Sequence, residues 1–304
     1  RRRSRRRGGR SALWSRPLGD LVLGRVVESE EPEFALDFLV PEATPENIAP
    51  HRHWLEPHAL EPATGKMILP VQTYVVRTRH HTILIDTCVG NAKQSAWHPP
   101  WHMRSGDGYL ANLAAAGVRP EAVDFVMCTH LHGDHVGWNT RLVDGRWVPT
   151  FANAKYVFAR HEWEYWQAEH AIEPRDSLIE SVLPVVAAGQ AVMVDSGYAL
   201  DDQVWLEPSP GHTPGHVSIR LSSRGENAVM CGDLMHSPVQ CAQPEWSSLG
   251  CIDKALSART RRDFLERHCE TDMLVMTAHF PSPSVGHIVR HGEAFRFRYE
   301  GLDA

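Results

Sequence analysis

Short alternating stretches of apolar and polar residues predict several β-strands in this chain. Such alternation places a strand at residues 21–27 and a hairpin at residues 71–78 and 82–86, turned around Arg79-His80-His81. Five further strands are predicted at residues 191–194, 204–206, 217–221, 228–231 and 273–277. Because they alternate with stretches of helical spacing, the pattern as a whole is typical of an α/β protein.

One helix is predicted between Ser105 and Gly117. Asp107 is its expected cap and Gly117 its expected terminator. Its apolar face consists of Leu110, Leu113 and Ala114.

Two other segments have helical spacing. One carries Trp163 and Trp166; the other runs from about residue 253 to 268. The inward residues of the latter are Leu256, Phe264 and Leu265. The stretch Ser177-Leu178-Ile179-Glu180 has capping-box spacing, although Pro184 limits the helix it would open.

Size and composition indicate a folded enzyme-sized domain. With 304 residues and 42% apolar content, the chain can bury a large core, and we predict one domain over residues 18–304. The first ten residues hold seven of the 31 basic side chains, so the remainder carries 24 basic and 37 acidic residues, a net charge of −13. An acidic body of this kind argues against a nucleic-acid partner.

The Arg-rich segment, residues 1–17, is predicted to be a disordered extension, because its like charges repel and little in it can be buried. The residues that follow are interrupted by Arg16, Pro17 and Asp20, so they do not form the apolar stretch of an export signal. No run approaches the ~20 apolar residues of a membrane span. We therefore expect a cytoplasmic protein without a membrane partner.

Metal-binding side chains follow several of the predicted strands. The densest group comes after Phe125-Val126-Met127-Cys128, and single residues follow later strands. In order they are His130, His132, Asp134, His135, His212, Asp233 and His279. Five imidazoles and two carboxylates are enough ligands for two metal ions.

The ligand types suit zinc, and also iron, manganese or cobalt, since no thiolate selects a softer ion. Extended backbone at His130-x-His132 points both rings to one side, whereas the tight turn at Gly133 can aim Asp134 and His135 elsewhere. Asp233, after a buried strand, is then placed to bridge two ions. The six cysteines make no C-x-x-C pair, which argues against zinc-ribbon and redox motifs.

The His-x-His-x-Asp-His run, with the later His, Asp and His, resembles the signature of the metallo-β-lactamase superfamily. This resemblance implies an α/β four-layer αββα sandwich, in which two mixed sheets pack face to face with helices outside. It implies that the first ion is bound by His130, His132 and His212, and the second by Asp134, His135 and His279. Asp233 would bind both ions, which we expect to be zinc.

The segments at residues 133–149 and 278–283 more narrowly resemble methyl parathion hydrolase and chlorothalonil hydrolytic dehalogenase. This likeness implies a small lipophilic, aromatic substrate attacked at phosphorus, at an acyl carbon or at an activated aryl carbon that carries chloride. Acyl-homoserine lactonases are an alternative. Their branch has a Tyr shortly after the bridging Asp, and residues 233–238 of this chain, Asp-Leu-Met-His-Ser-Pro, contain none.

For the mechanism, a hydroxide that bridges the two ions is the expected nucleophile. Asp134 would orient it, and His236 would protonate the leaving group or stabilise negative charge, unless His236 is structural. Two interpretations of His216 are open: it either orients a metal ligand or is a residue at the start of a strand. The residues expected to line the substrate pocket are Trp97, Trp101, Trp138 and Phe280.

Two other enzyme classes share parts of this pattern. A mononuclear iron persulfide dioxygenase would leave His135 and His279 without a metal role. A metal-dependent RNA-processing nuclease is suggested only by the Arg-rich extension. A homodimer is compatible with the family resemblance, and a small molecule is the expected partner.

Overall fold

The computed structural model describes residues 14–302. The Arg-rich run at residues 1–10 therefore lies outside the described residues. The boundary predicted for the extension needs correction, because Ser15–Leu18 pairs antiparallel with the strand that begins at Leu21. Leu18 is buried in the core, which explains why the fold begins before residue 18.

The strands extend over nearly the whole described chain. In chain order they are β1 (Ser15–Leu18), β2 (Leu21–Ala35), β3 (Lys66–Arg77), β4 (Thr82–Ile85), β5 (Phe125–Met127), β6 (Thr140–Val143), β7 (Arg146–Pro149), β8 (Lys155–Ala159), β9 (Ala191–Val194), β10 (Val204–Pro208), β11 (Val217–Ser223), β12 (Glu226–Met230), β13 (Leu274–Met276), β14 (Val285–His291) and β15 (Ala294–Tyr299). All the predicted strands are present, and β2 is longer than predicted.

Most helices are short. They are α1 (Leu36–Leu39), α2 (Pro45–Ile48), α3 (Arg52–Leu55), α4 (Gly108–Ala115), α5 (Gly133–Val136), α6 (Arg160–Ile172), α7 (Leu183–Ala187), α8 (Val239–Ala242) and α9 (Lys254–His268). A π-helical turn, Leu178–Val182, precedes α7. Among residues 14–302, no helix has both the length and the apolar character needed to cross a bilayer.

Within the described range the strands form two large sheets and a β6–β7 hairpin. The first sheet has the order β1-β2-β3-β4-β5-β8-β9, and the second β10-β11-β12-β13-β14-β15. Both are mixed, since β4, β5, β8 and β9 run parallel, as do β12 and β13, whereas the other neighbours are antiparallel.

Side-chain alternation along the strands produces three apolar layers. Tyr74 and Val76 of β3 face the second sheet, whereas Val75 between them faces the helices outside the first sheet. In β12, Ala228 and Met230 pack between the sheets, while Val229 packs towards Phe264 of α9. Helix, sheet, sheet and helix therefore stack in that order, which confirms the predicted four-layer sandwich.

Helix caps agree only in part with the sequence. Asp253 caps α9, and its carboxylate accepts a hydrogen bond from the Leu256 amide at 2.8 Å. Asp107 precedes α4 but makes no side-chain cap. The capping box predicted at Ser177 is wrong, because the carboxylate of Glu180 instead accepts from the amide of Gln94 at 2.9 Å.

Candidate metal centre

The seven predicted ligands meet at one edge of the sandwich, where strands of both sheets end. The loop after β5 carries His130 and His132, and the short helix α5 that follows it carries Asp134 and His135. His212 lies between β10 and β11, and Asp233 and His279 follow the parallel strands β12 and β13. Because parallel strands present their carboxyl ends at the same edge, residues far apart in the chain become neighbours.

One group of ligands comprises His130, His132, His212 and Asp233. His132 Nδ1 lies 3.0 Å from His130 Nε2 and 2.9 Å from His212 Nε2. Asp233 Oδ2 lies 3.2 Å from His212 Nε2 and 3.6 Å from His130 Nε2. Ligands about 2.0–2.1 Å from a tetrahedral zinc are roughly 3.3 Å apart, so these separations fit one ion.

The second group comprises Asp134, His135 and His279. Asp134 Oδ2 lies 3.5 Å from Nε2 of both His135 and His279. The other oxygen of Asp233, Oδ1, lies 3.1 Å from His135 Nε2 and 3.0 Å from His279 Nε2. Asp233 therefore presents one oxygen to each group and could bind an ion in both.

Burial and charge also fit a metal. His135 Nε2 and Asp233 Oδ1 are buried without a hydrogen-bond partner. Burial lowers the pKa of His130 and His212 well below the ordinary value, and that of His132 to about 4. These three rings are consequently neutral at pH 7 and offer lone pairs to a cation.

Around His135 the charge balance is different. Burial opposes a charge on this ring, yet the carboxylates of Asp233, Asp134 and Asp86 together raise the pKa of His135. Such an enclosed group of carboxylates requires positive charge, which divalent ions supply. The donor set and its surroundings therefore fit two such ions.

Hydrogen bonds hold the ligand rings in place. Asp86, which directly follows β4, accepts from His135 Nδ1 at 2.8 Å and from the Thr129 amide and hydroxyl, both at 2.8 Å. The carbonyl of Pro70 lies 2.9 Å from His279 Nδ1. These contacts leave Nε2 of both rings facing the centre. Asp86 lies at a strand end, the same signal that marked the ligands, yet its supporting role was not predicted from the sequence.

His216 lies against the backbone of Asp233, as expected of a residue that orients a ligand, and it directly precedes β11. Its Nε2 accepts from the backbone amide of Asp233 at 3.1 Å, and its Nδ1 lies 3.0 Å from the Ser209 carbonyl oxygen. The buried ring thus connects the loop before β11 to the bridging carboxylate.

Glu162 of α6 was not anticipated from the sequence. Its buried carboxylate accepts from the Leu131 amide at 3.0 Å and the Gly215 amide at 3.1 Å. It also accepts from the Thr213 hydroxyl and the Trp166 indole, both at 2.7 Å. Leu131 separates His130 from His132, and Thr213 follows His212, so one carboxylate ties together the two segments that carry the three histidines of the first ligand group.

His236 lies beside the bridging carboxylate. Its Nε2 is 3.2 Å from Asp233 Oδ2 and 3.5 Å from the Ser248 hydroxyl, whereas its Nδ1 is buried without a partner. The ring stacks nearly parallel on His279, with centroids 5.6 Å apart. It therefore borders both the metal ligands and the space in front of them.

That space is a cleft with two lobes. An apolar lobe of about 380 Å³ opens on Asp134, Asp233, His236 and His279. Its apolar walls are Phe34, Phe38, Leu39, Leu69, Trp97, Trp101 and Leu249. A more polar lobe of about 460 Å³ shares Trp97, Trp101, His132 and Asp134 with it and extends towards Lys93 and Arg175.

Trp97 and Trp101 line both lobes, as predicted for the pocket. Trp101 is buried, whereas Trp97 is 64% exposed and forms the rim. Both pack on Phe34, at centroid distances of 5.6 Å for Trp101 and 6.0 Å for Trp97.

Trp138 and Phe280 are not pocket residues, and the prediction for them is corrected. Trp138 is 3% exposed and stacks on Tyr109 at 5.2 Å, while its indole N–H donates to Glu28 at 2.7 Å. Phe280 is fully buried against Phe297. Each follows a ligand closely in sequence, but the chain has already turned into the core at that point.

A four-layer αββα sandwich with two His/Asp ligand groups at one sheet edge defines a class of metal-binding hydrolases. The metallo-beta-lactamase superfamily model matches residues 68–267, and the chain belongs to this superfamily. The resemblance to the superfamily inferred from sequence is thus confirmed.

Several characterised proteins are similar to this chain. An N-acyl homoserine lactonase of Bacillus sp is 28% identical over 174 residues, which are 53% of this chain and 62% of that protein. The lactonase AttM of Azorhizobium caulinodans is 30% identical over 52% of this chain and 62% of its own length. The alignments therefore span less than two thirds of these relatives.

Two solved structures share the fold over nearly their whole length. The hydrolase AbOPH of the beta lactamase superfamily superimposes with a TM-score of 0.78 at 23% identity, covering 96% of this chain and 98% of that one. AidC, a dizinc quorum-quenching lactonase, gives 0.76 at 22% identity with the same coverage.

Proposed function

We propose that this protein is a binuclear metal-dependent hydrolase that cleaves a small lipophilic ester or lactone at its acyl carbon. The observation that carries the proposal is the apolar lobe, which opens directly on Asp134, Asp233 and His236. An apolar part of the substrate buried there would bring its carbonyl group to the metal ligands.

The ligand groups would hold the two ions, which we propose to be zinc. Divalent ions bound there supply Lewis acidity and lower the pKa of water, so that hydroxide forms at neutral pH. The chain's own contribution is to hold the ligands rigidly through Asp86, Glu162 and His216, and to keep the surroundings apolar.

Two side chains are placed to handle protons. The carboxylate of Asp134 reaches both lobes of the cleft and can accept a hydrogen bond from the attacking water. His236 lies 3.2 Å from Asp233 Oδ2 and faces the apolar lobe. We propose that it donates a proton to the departing oxygen.

Attack at acyl carbon is favoured by the curated relatives, several of which are named N-acyl homoserine lactonases. The narrower resemblance in the sequence extends the substrates to phosphotriesters and activated aryl chlorides. These substrates have similar lipophilic groups, and their hydrolysis by this protein stays a prediction. Assays on a panel of substrates distinguish attack at acyl carbon, at phosphorus and at aryl carbon.

Removal of metal is expected to abolish hydrolysis. Protein treated with a chelator and dialysed should lose at least 90% of its activity. The reason is that metal ions supply several kcal/mol of transition-state stabilisation, and about 1.4 kcal/mol corresponds to a tenfold change in rate. Activity is measured on aryl esters, lactones, phosphotriesters and chlorinated aryl nitriles, before and after adding back zinc. Metal content is measured alongside; one iron per chain with substrate-dependent oxygen uptake would contradict the proposal.

The substitution His236→Ala should lower turnover by roughly 100-fold while both ions stay bound. A general acid typically contributes a factor of about 10²–10⁴ to the rate. The loss should be larger for alkyl esters than for 4-nitrophenyl esters, whose leaving group needs no proton. His161→Ala, on the exposed side of α6, is the matched control. A His236→Ala enzyme of full activity would remove the proposed acid role.

A further inference from the structure

A second large cavity lies away from the metal centre. It measures about 630 Å³ and shares no lining residue with either lobe of the cleft. The segment Trp54–Ala59 forms one side, and β14 and β15 form the other. Pro238, two residues after His236, closes one end.

The walls are apolar over much of their area. Five large apolar side chains contribute, and the Tyr299 ring packs edge-on against His58 at 4.6 Å. The five are Trp54, Leu55, Val289, Phe297 and Leu302. A cavity of this size and lining accommodates a small organic molecule.

The cavity is lined by two arginines and by no carboxylate of the described chain. Arg296 and Arg298 line it together with His58 and His291, and none of its lining residues is Asp or Glu. Within residues 14–302 neither arginine forms an ion pair with a carboxylate. Arg296 instead lies over the Trp54 ring at 3.4 Å, with Nη2 3.3 Å from His291 Nε2. Two arginines without a carboxylate partner in the part of the chain that the structure describes thus line one cavity of a protein whose body is acidic.

The lining residues also carry unused hydrogen-bond donors. Arg296 Nη1, Trp54 Nε1 and Tyr299 Oη are all buried without a hydrogen-bond partner among the described residues. Leaving such groups unpaired is costly, so the cavity wall is short of acceptors.

We propose that this cavity binds an amphipathic anion, namely a small carboxylate with an apolar chain or ring. The carboxylate would lie at Arg296 and Arg298, where a planar guanidinium can form charge-assisted hydrogen bonds. The chain or ring would pack on Trp54, Val289 and Phe297. The proposal does not depend on the substrate of the metal centre.

Titration calorimetry with octanoate on the metal-loaded protein tests the proposal. Octanol, which lacks the carboxylate, and acetate, which lacks the apolar chain, are the comparison compounds. Octanoate should bind saturably, and octanol and acetate should each bind at least tenfold more weakly. Arg296→Gln should weaken octanoate binding by roughly tenfold or more, and Arg298→Gln should also weaken it. Arg119→Gln, an exposed arginine elsewhere, should leave it unchanged.

Octanoate bound at the metal centre would not respond to substitution of these arginines. Only the octanoate binding that the arginine substitutions weaken is therefore assigned to the cavity. Thermal unfolding of each variant checks the fold, and exposed Arg298 provides the safer variant should Arg296→Gln unfold. Equal octanoate binding by wild type and both variants would overturn the proposal. The proposal would also be overturned if the protein formed a dimer that the Arg296→Gln substitution dissociates but octanoate does not. In that case a second copy of the chain would cover the cavity.

Discussion

Asp233→Ala is expected to abolish hydrolysis with the fold retained. Asp233 is the only ligand that faces both groups, with Oδ2 3.2 Å from His212 Nε2 and Oδ1 3.0 Å from His279 Nε2. In the proposed binuclear centre its removal would take away an anionic ligand that both groups share, so kcat/KM should fall by roughly 10³-fold or more and metal content below two ions per chain. The fold should persist because the residue lies at the sheet edge, outside the three apolar layers.

The measurements are steady-state kinetics, metal analysis and circular dichroism on the same preparation. Asp202→Ala, an exposed aspartate between β9 and β10, is the matched control and should behave as wild type. An Asp233→Ala enzyme with more than a tenth of wild-type activity would show that the two groups act independently of a bridge.

Glu162→Ala should have the second largest effect, and on stability as well as activity. Four donors from three separate elements of the chain converge on this carboxylate, two of them backbone amides. Since each buried donor left unpaired costs about 1–3 kcal/mol, the free energy of unfolding should fall by at least ~3 kcal/mol. Metal affinity should fall by roughly 10–100-fold, because the segments with His130, His132 and His212 lose their common anchor.

Chemical denaturation of the metal-loaded protein and competition with a chelator measure the two effects. Glu162→Gln keeps the shape and one acceptor oxygen, so it should fall between wild type and Glu162→Ala in both. Glu164→Ala, on the same helix, is the control. If Glu162→Ala weakened stability but left metal affinity unchanged, the carboxylate would only support the fold.

Much of the site was predictable because its ligands follow short strands that are recognisable in the sequence. His130, His212, Asp233 and His279 each come just after an apolar stretch, and strand ends gather at one sheet edge whatever the loops between them do. The four-layer order was also predictable once the superfamily signature had been noticed.

The acidic stretch at residues 28–33 was not predicted to be part of a strand. Its four glutamates and one proline suggested no strand, yet β2 continues through it to Ala35. The strand persists because distant groups neutralise or hydrogen-bond the side chains. Glu28 accepts from the amides of Val89 and Gly90 at 3.0 and 3.2 Å, and Glu33 pairs with His98.

Strand-like apolar stretches and the order of metal-binding residues are properties of the chain itself, so the sequence indicated the strands and the ligand set, and the family signature then implied the layers. Which residues support those ligands depends on contacts between segments brought together only by folding. Glu162 lies on an ordinary helix, and Trp138 follows a ligand motif, yet the first anchors the centre and the second fills the core. Packing, which no short stretch of sequence encodes, assigns those roles.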